Sequence, residues 1–95
     1  MNIQPSFTGV TYYPSKSDVQ MHLAHNYYIN KCIAMDKMLQ NFEQSKLPSV
    51  ISLIKSDGKE RLQLQVGKQI FKENFWQGAY SVLKKGLKSL TGKEK

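Results

Sequence analysis

The chain has 95 residues, of which 40% are hydrophobic and 22% charged, and 14 basic residues outnumber seven acidic ones for a formal charge of +7. That length supports one hydrophobic core and excludes a second domain with a core of its own, and the composition is that of a folded chain rather than a disordered one. The single cysteine, Cys32, excludes an intramolecular disulfide, and apolar runs of about three residues fall far short of the roughly 20 that span a bilayer. Met1–Lys16 has neither the basic start nor the apolar core of a secretory signal, so a cytoplasmic protein is the expectation.

Phe7–Tyr13 (FTGVTYY) is rich in β-formers and closed by Pro14, which predicts a short strand, with Gly9 marking a bulge or an edge position. Ser17 then opens a long helix. Ser17-Asp18-Val19-Gln20 offers the hydroxyl and the glutamine three residues on that a capping box requires, and Asp18 suits the positive end of the helix dipole. The helix is expected to run to about Ser45, ahead of Leu47-Pro48, and any interruption falls at His25–Asn30, where helix propensity is poor. Met21, Ala24, Tyr28, Cys32, Met35, Leu39 and Phe42 recur at spacings of three and four, which predicts the buried face. Val19, Leu23, Tyr27, Ala34 and Met38 form a second line, a candidate interaction face for the carboxy-terminal helix or another subunit.

Residues 49–66 read as a hairpin turning at Asp57-Gly58. A two-residue type I′ turn there pairs Leu53 with Leu62, Ile51 with Leu64 and Ser49 with Val66 on a core face, and sets Lys55 against Glu60. The other face is then open, with Ser52, Lys59, Arg61, Gln63 and Gln65. A slip of one residue would turn Ile51, Leu62 and Leu64 outward. Gly67-Lys68 can turn the chain into a third strand, Gln69–Lys72, or stand as a bulge or linker. Asn74 with Gln77 resembles another capping pair, opening a last helix that ends near Gly92 and buries Phe75, Trp76, Ala79, Tyr80, Leu83, Leu87 and Leu90. Residues 93–95 read as a frayed basic tail on a single domain of residues 1–92. The predicted fold is α+β in the order β-α-β-β-α. A small antiparallel sheet of two to four strands carries the long helix and a basic amphipathic helix on one face.

No motif carries catalytic chemistry. Asp18, His22, His25, Cys32 and Asp36 share one broad helical strip, but residues on one straight helix reach a common ion only two at a time, so a solvated flank accounts for them and no metal is expected. His25 and Cys32, two turns apart, are separated by roughly 10 Å, too far for thiol activation. There is no phosphate loop and no nucleophile elbow, so neither an enzyme nor a cofactor is expected.

Charge is the remaining signal. Residues 1–48 carry four basic residues against three acidic ones, and residues 49–95 ten against four. Lys59, Arg61 and Gln63 on the hairpin, with Lys84, Lys85 and Lys88 on the last helix, are therefore candidate polyanion contacts. The last helix also has the pattern of a membrane-surface segment, but a helix packed on the sheet has the same pattern and is preferred, so membrane contact is not expected. The expected role is non-catalytic binding to a protein partner or a second copy, with nucleic-acid binding as the alternative.

Overall fold

The computed structural model describes residues 9–91, Thr91 by its backbone alone, in the order β1 (Val10–Tyr13), α1 (Lys16–Asn26), α2 (Ile29–Glu43), β2 (Ser49–Ser56), β3 (Lys59–Val66), β4 (Gln69–Lys72) and α3 (Ala79–Thr91). Phe7 and Thr8 of the expected first strand, and the expected tail, lie outside the described residues.

Asp57 and Gly58 both take positive φ, 55° and 74°, as a type I′ turn requires. The β2–β3 register follows throughout, from Ser49 opposite Val66 to Ser56 opposite Lys59. Ile51, Leu62, Leu64 and Val66 are buried on its core side, while Leu53 is half-buried at the edge of the core. Ser52 departs from the open-face reading. It is buried, because its short side chain sits on the central strand between its register partners Tyr13 and Gln63. The third strand forms: Val66 pairs with Gln69 across a two-residue loop, and Gly67 has φ 59°.

The sheet is mixed, not antiparallel. Its order is β1-β2-β3-β4, with β2, β3 and β4 antiparallel but β1 parallel to β2. The physical reason is the connection. The helices between β1 and β2 carry the chain back to the end where β1 began, and such a crossover delivers a parallel neighbour. Gly9 seats this junction. Its φ of 78° is one that L side chains rarely adopt, and an added Cβ would lie 3.1 Å from the Glu43 carbonyl oxygen.

The expected long helix is two helices. Tyr27 and Tyr28 are both extended, ending α1 and opening α2 inside the stretch of poor propensity. The cap of α1 is Ser15, not Ser17. Its Oγ accepts the Asp18 N–H at 3.1 Å and donates to Asp18 Oδ2 at 2.8 Å, so the cap pairs Ser15 with Asp18 three residues on. With the break in place the stripes do not run on from one helix to the other. Met35, Leu39 and Phe42 are buried on α2 as expected, but on α1 it is Val19 and Leu23 that are buried, while Met21 and Ala24 of α1 and Tyr28 at the break are exposed. The candidate interaction face is thus divided. Val19 and Leu23 belong to the core, and Ala34 and Met38 are half-buried on the side of α2 where Lys31 lies 4.2 Å over the Tyr80 ring of α3.

Residues 74–77 are a turn, not the start of the last helix. Asn74 Oδ1 accepts the Trp76 N–H at 2.7 Å, and the Asn74 and Gln77 backbones bond reciprocally. The helix begins only at Ala79, so Phe75 and Trp76 fall outside the phase that would have buried them. Ala79, Val82 and Leu83 of α3 join α1, α2 and the inner sheet face in a single core. Gly86 lets α3 approach closely, since a Cβ there would overlap Leu64 Cδ2 and come within 3.0 Å of Phe42 Cζ. Among the described residues no helix is long and apolar enough to cross a membrane.

Candidate functional site

A buried carboxylate organises one end of the molecule. Glu73 follows directly on β4, only 7% exposed. Its Oε1 accepts the Leu62 N–H at 2.8 Å and lies 2.8 Å from His22 Nε2, and its Oε2 accepts the Tyr27 hydroxyl. Tyr27 passes the connection on, because its oxygen accepts the Ala79 N–H at 2.8 Å where α3 begins. One side chain thereby ties α1, the α1–α2 break, β3 and the start of α3 together.

The electrostatics follow from these bonds. Burial alone would raise the Glu73 carboxyl, but hydrogen bonds from His22, Tyr27 and the Leu62 N–H outweigh it and hold the group below the usual carboxylate range. Burial, and then the bond to Glu73, push the Tyr27 hydroxyl up to about 12. A smaller version joins the crossover to β1. There Tyr12 donates to Glu43 Oε2 at 2.6 Å and Lys16 Nζ lies 2.8 Å from the same oxygen. The Lys16 contact, then the Tyr12 bond, lower Glu43. Burial, with Glu43 beside it, raises Tyr12.

A cleft of about 660 Å³ opens over the His22–Glu73 pair, lined by α1 residues including His25 and Asn26 and by Lys59, Glu60 and Arg61 at the hairpin tip. Asn26 Nδ2 donates to the His22 carbonyl at 2.7 Å and lies 3.4 Å from Nδ1, while Nε2 faces Glu73. Nδ1 is 3.9 Å from Glu60 Oε1. A histidine oriented by a carboxylate is half of a catalytic arrangement. Among the described residues no hydroxyl or thiol hydrogen-bonds to Nδ1, and Cys32 Sγ instead faces the Leu23 and Tyr27 carbonyls at 3.4 and 3.6 Å. The polar strip on the first helices does not converge either. His22 turns inward, Asp36 accepts from Gln20 at 3.5 Å, and the described residues contain no group of three His, Cys, Asp or Glu able to hold a metal.

The same end displays apolar surface. Trp76 is 89% exposed, Tyr28 87%, Phe75 80% and Ile29 73%. Phe75 and Trp76 pack edge to face, centroids 5.0 Å apart, on the turn that Asn74 closes. Gln77 braces the turn, donating to the Lys72 carbonyl at 3.0 Å and accepting from Lys85. Tyr28 and Ile29 follow Tyr27, whose ring lies against Gly78 and whose hydroxyl holds Ala79. Exposed cations accompany this surface: Lys31 on Tyr80 and Lys85 on Gln77. From residue 61 to residue 91 the only acidic side chain is Glu73 itself, and it is buried.

The candidate polyanion residues fall on two surfaces. By the alternation that buries Leu62 and Leu64, Lys59, Arg61 and Gln63 fall on the sheet face turned away from the helices, with Lys59 and Arg61 also bordering the cleft at the hairpin tip. Lys84, Lys85 and Lys88 lie on the exposed side of α3, in the opposite layer, so they do not join the hairpin residues in one site. Sequence reading placed Phe75 and Trp76 in the core and gave Glu73 no place in a site. The available signal was a lone carboxylate in an otherwise acid-free stretch, next to two large aromatics. No family model, curated protein or solved structure matches the chain.

Proposed function

We propose that the protein is a non-catalytic binding module that docks onto a protein partner through the end carrying Tyr28, Ile29, Phe75 and Trp76. One observation carries the reading: these are the four most exposed large apolar side chains among the described residues, and all four lie beside the Glu73 network. Burying each in a partner is worth about 1.5–3 kcal/mol, and Trp and Tyr are frequent anchors of interfaces. A turn already braced by Asn74 and Gln77 loses little freedom on binding, so more of that gain remains as affinity. With Lys31 and Lys85 exposed beside this surface, the complementary partner presents an acidic rim. A second copy would bring the same lysines, which favours a different chain.

The test compares tagged protein with a Phe75→Ala/Trp76→Ala variant in pull-downs from native extract after nuclease treatment. The expected result is that partners recovered by the parent are lost from the variant while its thermal melt is unchanged. Undiminished recovery by the variant overturns the reading.

A further inference from the structure

We propose that the sheet face turned away from the helices is a second binding surface, one that takes the phosphodiester backbone of single-stranded nucleic acid. The register aligns its residues. Tyr13, Ser52, Gln63 and Lys72 form one row across all four strands, and Arg61 and Lys59 continue on the same side of β3 toward the hairpin tip. Side chains on one face of a strand recur about every 7 Å. The three cations therefore form a track at intervals comparable with successive phosphates of an extended strand. No carboxylate projects from this face, since the only acidic residue in the four strands, Glu60, lies in register with Lys55 on the other side. Lys59, Arg61 and Lys72 make no ion pair among the described residues.

Three features favour nucleic acid over another anionic partner. The Arg61 guanidinium offers a fork for phosphate oxygens. Gln63 and Gln65 supply both donors and acceptors, which suits bases and sugars as well as phosphates. Tyr13, 38% exposed in the same row, gives one ring for a base to stack on. The lysines of α3 are excluded from this surface by the layer they occupy.

The experiment is fluorescence anisotropy with a labelled oligothymidylate of about 12 nucleotides, within the range a small domain covers. Binding at about 50 mM salt is expected to fall with a log–log slope near −2, the value for three phosphates on a single strand. Lys59→Gln/Arg61→Gln should weaken it at least about tenfold. Lys84→Gln/Lys85→Gln, which removes the same charge from α3, should change it less than about twofold if local contacts rather than net charge dominate. Because Lys59 and Arg61 both border the cleft, Gln63→Ala/Lys72→Gln, which changes neither, serves as a second variant, and each is checked by thermal melting. No binding at low salt, salt-independent binding, or equal loss in the sheet-face and α3 variants overturns the proposal.

Discussion

Replacing Glu73 by Gln keeps the size of the side chain and removes its charge. In the native protein the carboxylate accepts from His22, Tyr27 and the Leu62 N–H at once, with Tyr27 also holding Ala79. A glutamine has one acceptor oxygen, which can keep the Leu62 and His22 bonds without charge assistance. Its amide group then faces the Tyr27 hydroxyl, whose hydrogen has lost its acceptor. Charge-assisted bonds contribute about 1.5–3 kcal/mol and neutral ones about 1, so the summed loss is about 2–4 kcal/mol. Against a total stability of about 5–15 kcal/mol this lowers the melting midpoint by at least about 10 °C. The assay is urea unfolding followed by far-ultraviolet circular dichroism across pH. Because the folded carboxyl titrates below its unfolded value of about 4.3, its stabilisation is fully present above that pH and is lost as pH falls through the folded value. The gap between parent and variant should therefore be full at pH 7 and close in acid. A gap under about 1 kcal/mol at pH 7, or one that persists unchanged to about pH 3, refutes the assignment of Glu73 as the organising charge.

Alkaline pH should act through the phenols. The Tyr27 value of about 12 lies above an unfolded value of about 10, so its contribution is complete below pH 10 and lost as pH rises toward 12. Tyr27→Phe should flatten that part of a stability–pH curve, and an unchanged slope would count against the bond. Gly86→Ala should destabilise the protein by up to about 2 kcal/mol in a denaturant titration. The helix-propensity gain of about 1 kcal/mol is outweighed by overpacking, which costs about 1–3 kcal/mol against the fully buried Leu64 and Phe42. A stabilised variant would show that α3 can move off the sheet.

What was legible in the sequence was local. The β2–β3 register needed only a turn dipeptide, an alternation and a charge pair, all within residues 49–66, and β4 needed only Gly67. The helix break was legible as poor propensity at His25–Asn30, but its consequence was not. A break rotates one helix relative to the next, so the phase that correctly buries Met35, Leu39 and Phe42 could not choose between Val19–Leu23 and Met21–Ala24. The same kind of error hid Phe75 and Trp76. Asn74 caps something, but it is a turn, and the helix phase starts later. Glu73 was illegible because its partners come from positions 22, 27 and 62, which only tertiary structure assembles.

The parallel pairing of β1 with β2 also sets an order of assembly. β2, β3 and β4 are joined by two-residue loops and can zip together from neighbouring chain. β1 finds its place only after the whole of residues 14–48 has folded back, a much longer closure with a larger entropic cost. The sheet is thus a meander to which the first strand is added afterwards. Until it arrives, β2 is an open edge, and during synthesis β1 waits as unpaired chain for a partner that has not yet been made.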